Sequence, residues 1–134
     1  MSFGSGAMTN SISEIKDCKL IFLIGGNPTE AHPIVGLEMK KALRKGCTFI
    51  VADPRQIWFA KHAKLYLPLK PGTDNWLLNA MAHVILAEGL ENKEFIKTRT
   101  EGFEDLKAFV KDITPEKAAE LTGVPAEDIR QAAR

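Results

Sequence analysis

The feature that most restricts the folds open to this chain is the run from Lys19 to Ile24, apolar without interruption from Leu20 and stopped by Gly25-Gly26. Unbroken apolar character over so short a stretch suits a strand buried on both faces, as in a parallel sheet covered by helices. The plan recurs along the chain. Thr48–Ala52 forms a second such run, and Leu65–Leu69 a third. Pro68 gives the third run an edge position or the end of a ladder, because proline has no N–H to donate.

Helical periodicity fills the gaps. Pro33 opens a helix to about Lys45, with Val35, Met39, Ala42 and Leu43 on one stripe and Gly46 ending it. A short helical stretch follows over 56–62. A stronger helix runs over 75–88, with Leu78, Met81, Ala82 and Ile85 as its core stripe and Gly89 as its stop. A brief helix from Ser11 to Ile15 precedes the first strand. After Glu91 only helices are expected, near 92–99, 102–111, 115–121 and 125–134. The spacing predicts right-handed βαβ units. The expected class is therefore α/β, a Rossmann-like parallel sheet of three or more strands with flanking helices and a helical C-terminal part. One domain is expected over 1–134: a leading segment and short helix over 1–16, a βαβ core over 17–90, and a helical part over 91–134. The small, polar start MSFGSGAMTN and the uncapped end at Arg134 read as cuts through a longer chain.

Composition removes several functions. A formal net charge of +1 with scattered Lys and Arg gives no footprint for nucleic acid or an anionic membrane. No apolar run approaches the ~20 residues of a membrane helix, so no membrane-spanning segment is expected. Cys18 and Cys47 are too few and too far apart in sequence for a zinc or iron–sulfur site. They read as buried free thiols at strand starts. With no secretory signal visible, a cytoplasmic setting follows.

In an open parallel sheet, ligands bind beyond the carboxyl ends of the strands. Three loops lie there. Gly25-Gly26-Asn27-Pro28-Thr29-Glu30 offers glycines that let the backbone approach a ligand, the Asn27 amide, and a following helix start suited to a diphosphate. His32 lies within reach of that loop. The dinucleotide fingerprint Gly-x-Gly-x-x-Gly is absent, and a plain strand-to-helix turn is the competing reading. Asp53-Pro54-Arg55 places an acid where such folds hold ribose hydroxyls and an arginine able to meet a phosphate or a purine. Its competing reading is a surface Asp–Arg pair. Pro71-Gly72-Thr73-Asp74 has Asp74 as a helix cap that can also accept from guanine. Single loops are weak signals; three on one rim suit a nucleotide-sized ligand. His62 and His83 read as helix-surface residues, and Trp58 and Trp76 as core or lid packing, with one of them flanking a bound base as the alternative. No catalytic Ser-His-Asp, Cys-His or paired-carboxylate arrangement is visible.

The runs GSGAMTNSISEI, LIFLIGGNPTEAHP, VADPR, LKPGTDNWLLNAMAHVI, TRTEGFEDL and TGVPAEDIRQAAR together resemble the catalytic subunits of formate dehydrogenases, within the molybdopterin oxidoreductases. The likeness extends from about Gly4 to Arg134. It implies an α/β domain for the guanosine-diphosphate end of a molybdopterin guanine dinucleotide, with molybdenum or tungsten in the parent enzyme. Carried over, it implicates Gly26, Asn27, Glu30 and His32, then Asp53, Pro54 and Arg55, then Gly72, Thr73 and Asp74. It leaves open which of Asp53 and Asp74 meets guanine. Ser5, Gly6 and Asn10 would belong to the segment leading away from the metal site. The implied partners are the remaining domains of the parent subunit and electron-transfer subunits, and any iron–sulfur cluster belongs to the parent alone. This sequence departs from the family in lacking the iron–sulfur cysteines and the Cys or selenocysteine metal ligand, so no activity is expected of the chain by itself. The parent reaction would be two-electron oxidation of formate to carbon dioxide. A nitrate-reductase-like or other molybdopterin parent, a stand-alone nucleotide-binding domain, and a purely structural domain are the alternatives.

Overall fold

The computed structural model describes residues 10–134; the expectations for Ser5 and Gly6 lie outside them. Three parallel strands, β1 (Leu20–Ile24), β2 (Thr48–Ala52) and β3 (Leu65–Leu67), form one sheet in the order β1-β2-β3. Leu20 pairs with Thr48 and Ile24 with Ala52, while Ile50 pairs with Leu65 and Ala52 with Leu67. All three strands therefore end on the same rim.

Helix α1 (Pro28–Ala31) and helix α2 (Pro33–Arg44) connect β1 to β2. The connection from β2 to β3 keeps only a 3-10 turn, Ala60–His62, of the helical stretch expected over 56–62. Helix α3 (Asp74–Ala87) follows β3, and α4 (Lys93–Arg99), α5 (Phe103–Val110), α6 (Pro115–Thr122) and α7 (Ala126–Ala133) complete the chain. The leading helix is a 3-10 turn over Ile12–Asp17.

Strand alternation sorts the sheet into two cores. Ile50, Ala52 and Leu67 face α3, α6 and α7, packing with Leu77, Ala80, Ala118, Val124 and Ile129. Phe49 and Val51 face the opposite side, packing with Met39 and Ala42 of α2 and with Ile57 and Phe59. The Phe49 and Phe59 rings stack at 5.3 Å. β2 is the most deeply buried of the three, since it alone has a strand along each edge.

Several expectations change. β1 is half-buried rather than sunk on both faces, because it is an edge strand and Leu20 is 55% exposed. β3 stops at Leu67, before Pro68. On α3 the fully buried stripe is Leu77, Ala80 and Val84, one register from the expected one, and Leu78 is exposed. Asp74 does not cap α3; Thr73 occupies the cap position and Asp74 is the first helical residue. Cys18 is exposed, ahead of the ladder, and only Cys47 is buried. His83 is not a free surface residue: it is half-buried and its Nδ1–H donates to the Val110 carbonyl at 2.9 Å. Among the described residues no helix is long and apolar enough to cross a membrane.

Candidate functional site

The loop after β1 turns on Gly25, whose φ of +60° is a left-handed conformation that favours glycine. Gly25 N–H donates to the Ala52 carbonyl at 3.0 Å, carrying the ladder one step past the strand. A Cβ on Gly25 would lie 3.6 Å from Asp74 Oδ1, so the third loop's acid rests against the first loop's turn. Gly26 is less constrained, its nearest such contact being Ile24 O at 3.9 Å.

Asn27 is half-buried, and its Oδ1 is buried without a hydrogen-bond partner among the described residues. An unmatched buried polar atom costs about 1–3 kcal/mol. Turning the amide over exchanges an unmet acceptor for an unmet donor. The helix start expected to hold a diphosphate begins earlier than Pro33, at Pro28. It is poor in free donors: Pro28 has no N–H, and the Glu30 and Ala31 amides both return to the Asn27 carbonyl at 3.0 Å. Gly36 of α2 lies so close that a Cβ there would stand 3.0 Å from Pro28 O, which fixes the far side of this turn.

The loop after β2 is held differently. Asp53 is a buried charged residue, 4% exposed. Its N–H donates to the Leu67 carbonyl at 3.3 Å, its carbonyl accepts from Tyr66 Oη at 3.0 Å, and its Oδ1 accepts from the Arg55 N–H at 2.8 Å. Burial, and after it the nearby Asp53, push the Tyr66 phenol above its ordinary value of 10.0. Pro54 is exposed at the tip. The Arg55 guanidinium points outward, 4.0 Å from both Glu30 and Asp53. At that length, with the Arg55 side chain largely exposed, neither pair contributes much, leaving the guanidinium available to an anion.

Gly72 has φ +78° with nothing near a built Cβ, so it serves the turn rather than a protein contact. Thr73 Oγ1 donates to the Lys70 carbonyl at 2.6 Å. Lys70 N–H in turn donates to the Thr122 carbonyl at 2.9 Å, fastening the third loop to the α6–α7 junction.

Together the first two loops enclose a cleft of about 280 Å³ lined by Asn27, Thr29, Glu30, Arg55, Gln56, Ile57 and Trp58. Asp53, Gly72, Thr73 and Asp74 are not among its lining residues; Asp74 rests against Gly25, two residues before Asn27. His32 is not brought there; it lies in a separate apolar hollow with Ile12, Ala31 and Ile34. A larger hollow of about 440 Å³ between α3 and α5 is mainly apolar and remote from the rim. The convergent polar groups place the candidate site at the rim.

Sequence reasoning placed Gly25 in the first loop without listing it among the site residues, and it passed over Tyr66 and the cleft position of Trp58, whose ring has Lys40 Nζ 4.7 Å from its centroid and the His62 ring at 4.2 Å. Only Trp58 left a usable signal, three residues after Arg55. Among the described residues no group of three or more His, Cys, Asp or Glu could hold a metal ion.

Residues 2–126 match the family described as molybdopterin oxidoreductase. The chain is 50% identical over 133 residues to the F420-dependent formate dehydrogenase 1 subunit alpha of Methanococcus maripaludis, covering 99% of this chain and 20% of that one. Formate dehydrogenase H of Escherichia coli is 48% identical over 133 residues, covering 99% and 19%. Among solved structures, acetylene hydratase from Pelobacter acetylenicus superposes with a TM-score of 0.80 at 36% identity, covering 91% of this chain and 18% of that one. The chain thus spans about a fifth of the length of the relatives it matches.

Proposed function

This chain belongs to the molybdopterin oxidoreductase family, and from that premise we propose that its rim holds the guanosine-diphosphate end of a molybdopterin guanine dinucleotide within a formate dehydrogenase. The observation that carries the reading is Asn27 Oδ1, buried on a residue that lines the cleft and without a hydrogen-bond partner among the described residues. A ribose hydroxyl would answer it by donating to Oδ1, and a phosphate oxygen would answer it with the amide turned over and its NH2 donating. The surrounding groups fit the same ligand. Gly25 and Gly26 keep side chains off the approach, Arg55 offers a guanidinium to the diphosphate, and Glu30 borders the cleft. Asp53 and Asp74 are the carboxylates for guanine N–H groups and ribose hydroxyls, with Gly72 and Thr73 shaping the turn before Asp74. His32 is left with a boundary role beside the first loop.

The bound group supplies the metal that exchanges electrons with formate. This chain's residues bind and orient its nucleotide end, and none of those at the rim is assigned a proton or electron transfer. Exposed Phe95, Leu106 and Phe109 on α4 and α5 support a covering partner, for which the remaining domains of the parent subunit are the candidates. Electron-transfer subunits and a cytoplasmic setting belong to the same reading.

Titration of GDP into the labelled chain, with ADP as control, tests the proposal through backbone amide shifts. Saturable shifts at 25–30, 53–55 and 72–74 with GDP preferred are the expected result. Equal responses to both nucleotides would reduce the site to a generic diphosphate seat. No response at millimolar GDP would remove it.

A further inference from the structure

We propose that Tyr66 is a positioning residue for the acid of the second loop, an inference that rests on the nucleotide reading above. In a parallel pair the N–H groups of one strand serve alternate carbonyls of its neighbour. Asp53 N–H donates to Leu67 O, so the next rung would bring the Leu69 N–H to the Asp53 carbonyl. Beyond Pro68, however, Leu69 N–H turns back onto Leu67 O at 2.9 Å. The Asp53 carbonyl loses its ladder donor just where the binding loop begins.

The Tyr66 phenol replaces it. Tyr66 pairs with Val51 in β3, two residues before Asp53, and its ring packs against the core that includes Val51 and Phe59. From that anchorage the hydroxyl reaches Asp53 O at 3.0 Å. Asp53 is then gripped at three atoms: N by Leu67, O by Tyr66, and Oδ1 by the Arg55 amide. Its other carboxylate oxygen takes part in none of these bonds and is the acceptor left for ligand. Phenylalanine at 66 would keep the packing and lose the grip on the carbonyl.

The test compares the wild-type chain with Tyr66→Phe. GDP affinity is expected to fall about 2- to 10-fold, the range of one neutral hydrogen bond. The thermal midpoint is expected to stay within a few degrees, with amide shift changes concentrated at 53–55. Tyr66 is the only tyrosine in the chain, so phenolate absorbance follows it alone. The affinity advantage of wild type over the variant should vanish across the pH range where that absorbance rises, a readout that lost packing would not produce. Equal GDP affinity in both proteins would overturn the assignment of Tyr66. So would a loss matched by general destabilisation, with shifts spread through the sheet. Failure of wild type to bind GDP at millimolar concentration would instead overturn the nucleotide reading, and this inference with it.

Discussion

After β2 the chain turns at Asp53 with its amide, its carbonyl and one carboxylate oxygen all engaged. After β1 it turns at Gly25 and leaves Asn27 Oδ1 buried, with no hydrogen-bond partner among the described residues. Both loops follow strands of the same sheet and border the same cleft. The second is assembled before any ligand arrives, whereas the first carries a standing cost that a ligand can relieve. A rim built this way combines a rigid reference point with a group whose satisfaction comes only on binding.

The contrast predicts opposite linkage between stability and affinity. Asp53→Ala should produce the largest effect, lowering unfolding free energy by about 1.5–3 kcal/mol through loss of a charge-assisted bond. It should also lower GDP affinity more than tenfold. Asp53→Asn, which keeps an acceptor for the Arg55 amide, should recover much of the stability and little of the affinity. Denaturant melts and calorimetric titration read the two quantities separately. Asn27→Ala should come next: affinity falls about tenfold, while stability holds or rises by up to ~1 kcal/mol as the unmatched atom disappears. A stability loss in Asn27→Ala as large as that in Asp53→Ala would erase the distinction between the loops.

The smallest expected effect is on Tyr66. Its phenol is raised in the fold by burial and then by Asp53. The neutral form therefore contributes stability that is fully present below pH 10 and lost as pH climbs through the raised value. In an absorbance titration the midpoint should lie above 10 in the native chain, fall toward 10 in Asp53→Ala, and stay in place in Asn27→Ala. A midpoint indifferent to Asp53 would detach Tyr66 from the second loop.

The sheet and its three rim loops are legible because short apolar runs ended by Gly, Asp or Pro have few other uses. The edge position of β1 is not, since burial of a strand depends on neighbours that its own residues do not encode. On α3 the phase slipped by one position: with Leu77, Leu78, Met81, Val84 and Ile85 all apolar, hydrophobic spacing alone does not choose which stripe faces the sheet. Asp74 read as a cap because acids favour that position, yet Thr73 took it. Gly25 and Gly26 cannot be told apart without the sign of φ. The contact between Tyr66 and Asp53 needs the β2–β3 register, which no local pattern supplies.

The core shared by the sheet and the last two helices has a consequence for anyone wishing to shorten the molecule. A cut at residue 90 follows the end of the strand–helix alternation and seems natural on paper. It would strip Ala118, Val124 and Ile129 from the cluster that covers Leu67 and Leu77, baring a greasy sheet face. It would also take away the Thr122 carbonyl that receives the Lys70 amide. Loop grafting meets the same limit, because a transplanted Pro-Gly-Thr-Asp turn leaves its fastening some fifty residues behind. The smallest piece that can present this rim includes helices that line no part of its cleft.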